Sequence, residues 1–153
     1  FHMKWSLQQL QKINNFPYQF NLESDFTKFL DEIKNTGAET DILDVLSVDC
    51  NVSIFKLDFQ TYKFDYEIKA KLLLECALTL EPVEYSMNFS VSETYSKDPN
   101  EEMYSFDGNS IDCDLAVWSN IVINIPIRVV RDDAYEILKE RNIFLDEEPE
   151  ENE

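Results

Sequence analysis

The sequence predicts an α+β domain: an antiparallel β meander, built as a long bent hairpin or a partly closed barrel, packed with N-terminal and C-terminal helices. Two observations carry this. From Tyr62 to Leu80 every even position is apolar, while Lys63, Asp65, Glu67, Lys69, Lys71 and Glu75 occupy odd ones. A period of two sends alternate side chains to opposite faces, so this stretch reads as a strand, long enough to bend or bulge partway. The next segment repeats the pattern with Val83, Tyr85, Met87, Phe89 and Val91, and Leu80-Glu81-Pro82 between them reads as a turn. Such a hairpin has one oily face and needs cover from the rest of the chain.

Taken in order, Ser6 is placed to cap a short helix with Leu7, Leu10 and Ile13 on one stripe, and Trp5 to staple its entry. Pro17 ends it, and Phe16, Tyr18, Phe20 and Leu22 alternate as a strand. Phe26, Phe29, Leu30 and Ile33 have helical spacing behind Asp25 and Thr27, with a stop near Gly37; a looped strand is the alternative. Leu46, Val48, Cys50, Val52 and Ile54 alternate again before the parity slips to Phe55, Leu57 and Phe59, as a bulge would make it. After a polar loop, Met103 to Phe106 reads as a short strand and Asp107-Gly108 as a turn. Asp112 or Asp114 caps a buried helix carrying Cys113, Val117, Trp118, Ile121 and Ile125, which ends before Pro126. Asp132 and Asp133 cap a last helix with Tyr135, Ile137 and Leu138.

The chain of 153 residues suits one domain, expected over residues 3–145, with an acidic tail over 146–153 kept disordered by charge repulsion. Phe1 and His2 read as a vector remnant ahead of Met3. The sole histidine then falls outside the native chain, which argues against His-dependent catalysis. Cys50, Cys76 and Cys113 form neither a disulfide framework nor a zinc ligand set. No apolar run reaches membrane-spanning length, so a cytoplasmic protein without membrane contact is expected. The formal charge is −18, six of the acids lying in the last eight residues. Such a field repels phosphate backbones and attracts basic proteins.

Two motifs resemble the YceD family, the large ribosomal RNA subunit accumulation proteins. Glu75-Cys76-Ala77-Leu78-Thr79-Leu80-Glu81-Pro82 is similar to the family's Glu-Cys-x-Arg-Cys-Leu followed by proline. Ile111-Asp112-Cys113 through Ile125-Pro126 is similar to its later helix, and Met3-Lys4-Trp5-Ser6 to the start of members from Gram-positive bacteria. The positions that carry the match, Cys76, Leu80, Pro82, Ile111, Asp112 and Pro126, are read as structural. Thr79 replaces the family's second cysteine and Leu78 its arginine, so no thiolate metal site can form through Cys76 alone. Asn120 stands where a glutamate is common. The resemblance implies a bacterial ribosome biogenesis role in 23S rRNA accumulation. It also implies a protein partner, since members are associated with the gene for a small basic ribosomal protein.

The expectation is therefore a non-enzymatic factor with no cofactor and no metal, binding a basic ribosomal protein or a large-subunit precursor. The alternative is direct binding of precursor large-subunit rRNA, with local contacts from Lys63, Lys69, Lys71, Arg128 and Arg131. Asp112 with Asp114, or Asp132 with Asp133, could bind Mg²⁺ for phosphoryl chemistry, but paired acids at a helix start are more often caps. An interaction module that uses its sheet edge or its tail is a further option.

Overall fold

A computed structural model describes residues 4–37, 40–106, 110–126 and 128–141. The vector-remnant and acidic-tail readings lie outside these residues. The elements are β1 (Lys4–Ser6), α1 (Leu7–Gln11), β2 (Tyr18–Leu22), α2 (Thr27–Asn35), β3 (Ile42–Asp58), β4 (Thr61–Glu75), β5 (Pro82–Ser96), β6 (Tyr104–Ser105), β7 (Ser110–Asp112), α3 (Cys113–Ile123) and α4 (Ala134–Glu140). An α+β fold is confirmed. Five strands lie in the order β2-β3-β4-β5-β6, and β1 with β7 makes a separate ribbon. The large sheet is open, and no closed barrel forms among the described residues.

The alternation on β4 does what its period dictates. Tyr62, Phe64, Tyr66, Ile68, Leu72 and Leu74 are buried on one face, with Cys50, Val52 and Ile54 of β3 beside them. Leu10 of α1, Phe29 and Leu30 of α2, and Val117, Trp118 and Ile121 of α3 join the same core. Phe29 stacks on Trp118 with ring centroids 5.7 Å apart, which joins α2 to α3. Ser6 caps α1 as expected, in a reciprocal pair with Gln9.

Several expectations are corrected. The β4 strand stops at Glu75, and residues 76–81 form the connection, in which Leu80 takes φ +62° with its side chain exposed. Past the strand the even parity no longer marks burial: Cys76 and Thr79 turn inward, whereas Leu78 is half-buried and Leu80 exposed. No bulge lies between Ile54 and Phe55, whose pairing with Phe64 and Lys63 is continuous. The register shifts fall at Lys56/Asp58, Val45/Ser47 and Ile42/Asp44, so Leu57 and Leu46 are exposed, and Phe59 is exposed in the turn that follows β3. Trp5 sits in β1, where it packs on Tyr18 and Phe20 of β2. Short β6 pairs parallel to β5, and the β1–β7 ribbon was not expected: three-residue strands carry too little periodicity to read.

Candidate functional site

The face of the sheet opposite the core is a polar lattice, set out by cross-strand register. Gln19, Ser53, Asp65 and Ser92 form one row across four strands, and Asn21, Asn51, Glu67 and Ser90 the next. Side chains bond along it: Ser92 Oγ donates to Asp65 Oδ1 at 2.6 Å, and Asn21 Nδ2 to Asp49 Oδ1 and Asn51 Oδ1 at 2.9 and 3.0 Å. The three lysines of β4 belong to this face. Lys63 lies 3.9 Å from Asp65 and over the Phe55 ring at 4.8 Å, and Lys71 lies 3.8 Å from Glu84. Lys69 is flanked in register by Asp49 and Asn88.

The five basic residues named from sequence are thus not gathered into one patch. Lys63 and Lys69 are six positions apart on one strand, roughly 20 Å, beyond the distance over which exposed charges reinforce each other. Arg128 is exposed after Pro126. Arg131 is engaged: its guanidinium holds Asp133 through Nε at 2.9 Å and Nη2 at 3.2 Å, and donates to the Pro82 carbonyl at 2.7 Å. The Asp133 carboxylate holds Arg131 more firmly protonated than usual, and Arg131 in turn draws the Asp133 carboxyl below the ordinary range. Asp133 occupies the N-cap position of α4, but its side chain does not cap the helix; this corrects the capping expectation.

A second cluster surrounds Cys76. Its thiol is buried and accepts the backbone N–H groups of Thr79 and Arg131, each at 3.4 Å. Burial opposes ionisation, yet those N–H groups and the Thr79 side chain outweigh it and bring the thiol from 9.0 down to about 7. The backbone of the turn is tied on all sides: Ala77 N donates to Val129 O at 2.9 Å, and Cys76 N to Glu81 O at 2.8 Å. Arg141, the C-cap of α4, reaches Glu81 at 2.7 Å and the Thr79 carbonyl at 3.4 Å. The Cys76–Pro82 motif therefore anchors the segment that follows α3. Cys50 and Cys113 differ, burial pushing each up to about 12.

The acids at the start of α3 separate into two roles. Asp112 caps the helix by accepting from Leu115 N at 3.2 Å. Asp114 is wholly buried, 3.0 Å from Lys28 Nζ and 2.8 Å from Ser24 Oγ, so it pins α3 to α2. A signal for this was present: Asp114 falls on the stripe of Val117, Trp118 and Ile121, and a carboxylate on an apolar stripe needs a partner. Asn120, buried on the same helix, donates to Glu93 Oε2 of β5 at 2.9 Å and to Ala116 O at 2.8 Å. The Tyr95 hydroxyl donates to the other oxygen of Glu93 and lies 3.4 Å from the Tyr66 hydroxyl. Burial holds both phenols protonated, with the neighbouring Glu93 charge adding to it at Tyr95. Beside this network a recess of about 410 Å³ is lined by Lys4, Glu93, Tyr104, Asp112, Leu115 and Ser119, among others. Among the described residues, no three of His, Cys, Asp and Glu converge as a metal-holding group. No helix among them is long and apolar enough to cross a membrane.

A family model described as large ribosomal RNA subunit accumulation protein YceD matches residues 64–153. The matched span takes in most of β4, the Cys76 turn, β5 and α3, and leaves the first three strands outside. No curated protein and no solved structure matches the chain.

Proposed function

The chain belongs to the YceD family, which places it in large-subunit ribosomal RNA accumulation, and on that premise we propose that it acts as a non-enzymatic assembly factor. It holds a basic ribosomal protein, alone or within an early large-subunit intermediate, until that protein is transferred to RNA. The observation that carries this reading is the charge arrangement. The formal charge is −18, and the sheet face that offers most of the strand lysines interleaves them with Asp49, Asp65, Glu67 and Glu84. Acidic fields speed encounter with basic proteins, and exposed pairs leave affinity moderate enough for release.

The polar clusters described above all have internal work: Asp114 and Glu93 hold helix to sheet, and Cys76 holds a turn. That supports a binding role over a catalytic one. Direct RNA contact is less favoured, because phosphate binding draws on clustered cations: of the five, Lys69 and Lys71 are neighbours on one face, while Lys63, Lys71 and Arg131 are each paired with an acid. The test is a pair of titrations at low salt, one with proteins extracted from large ribosomal subunits and one with a large-subunit RNA fragment. Saturable binding of one or a few basic proteins, with RNA binding absent, is the expected result. Tight binding of the RNA fragment, steeply weakened by salt, would overturn it.

A further inference from the structure

We propose that the free edge of β5 is where the partner docks, by laying an extended basic segment beside it as an added strand; this rests on the assembly-factor reading and names its contact. β5 pairs with β4 over fifteen positions without a register shift, but on its other side with β6 only at Tyr95 and Ser96. From Pro82 to Thr94 it has no strand neighbour on that side among the described residues.

Two bonds at the ends of the ladder identify the backbone groups that point outward. Lys97 N donates to Gln60 O at 3.2 Å and Cys76 N to Glu81 O at 2.8 Å, so odd-numbered residues from 81 to 97 face β4. In an antiparallel pair the alternate residues then turn their N–H and C=O away. Glu84, Ser86, Asn88, Ser90, Ser92 and Thr94 offer that unpaired row. Natural edges are usually blunted by lysine, interior proline or bulges. Between Val83 and Ser96 this one has no lysine, proline or bulge; its charged residues are two acids, Glu84 on the polar face and Glu93, which is tied to Asn120 on the core side. Along the same strand Val83, Tyr85, Phe89 and Val91 are only half-buried, and an added strand would complete their cover.

Charge selects the occupant. The charged side chains of β5 are Glu84 and Glu93, and Asp98, Glu101 and Glu102 follow in the loop beyond it. A second copy would bring another −18 to the contact and be repelled, whereas an extended segment alternating basic and apolar residues suits both the edge and the field.

The probe is a labelled peptide of about twelve residues alternating lysine and valine, long enough to span the edge, against a counterpart alternating glutamate and valine. The lysine peptide is expected to bind and to slow amide exchange at Ser86, Asn88, Ser90 and Ser92, and the glutamate peptide to fail. Ser90→Pro removes an outward N–H without touching the β4 ladder, and is expected to weaken binding by about tenfold or more. The double variant Asn88→Lys with Ser90→Lys, which keeps every backbone donor, should weaken it comparably by repulsion. Equal binding of both peptides, protection away from β5, unchanged affinity in the variants, or a dimer of the free chain through this edge would overturn the proposal. Large-subunit proteins still recovered with Ser90→Pro would sink the edge and spare the assembly-factor reading. Their absence with the unaltered chain would sink that reading itself.

Discussion

Cys76 shows how one side chain converts a turn into an anchor. Its sulfur takes N–H groups from Thr79 and from Arg131, residues on either side of a long chain excursion. Replacing it with alanine leaves both donors buried and is expected to cost about 1–3 kcal/mol. The cost should depend on pH. A thiol lowered from 9.0 to about 7 adds stability that is fully present above the unfolded pKa and is lost as pH falls through the folded one. Urea unfolding of the native chain and Cys76→Ala should therefore differ more at pH 9.5 than at pH 6; a gap independent of pH would contradict this. Leu80 holds φ +62° with an exposed side chain, a conformation that asparagine tolerates better. Leu80→Asn is expected to raise stability by about 0.5–1 kcal/mol in the same assay, and a loss would show that the leucine has a contact of its own. At Asp114 the concern is a buried charge: Lys28→Met removes a cation 3.0 Å from it and is expected to destabilise the chain in the same urea assay.

At the scale of elements, what was legible in the sequence follows from period and length. β4 and β5 are fifteen residues each, and their faces were plain because alternation is sustained for many turns of the pleat. The α3 helix was legible from its spacing and Pro126 despite its β-branched residues, because tertiary burial overrides their weak propensity. Leu46 and Leu57 misled because bulges move apolar residues to the surface, and no local signal marks where a bulge will fall; Phe59 is exposed because it lies in the turn between β3 and β4. The contacts that tie elements together, Asp114 to Lys28 and Asn120 to Glu93, join residues 86 and 27 positions apart and have no pattern along the chain. The edge of β5 was invisible for the same reason, since which strand lies outermost is a property of the assembled sheet. Amide exchange on the free protein tests its alternation: odd-numbered amides of β5 should be protected and Ser86, Asn88, Ser90 and Ser92 should exchange quickly. Equal protection of both sets would mean that the edge is covered.

For the whole molecule the governing quantity is charge. The chain carries 31 acidic residues against 13 basic ones, and its surface pairs lie in exposed positions where each is worth little. A field of this kind acts mainly on the rate of encounter, so removing residues 146–153, with their six acids, should slow association with a basic partner a few-fold at low salt. Near 0.5 M salt the difference should vanish, because screening then acts within a few ångströms. The central claim is that this protein serves large-subunit assembly by holding a basic protein and not by gripping RNA. Affinity purification of the tagged chain from a gentle low-salt lysate, with and without ribonuclease, tests it most directly. Recovery of one or a few basic large-subunit proteins in both samples is the predicted result; recovery that disappears on ribonuclease treatment, or a chain recovered alone, would contradict it.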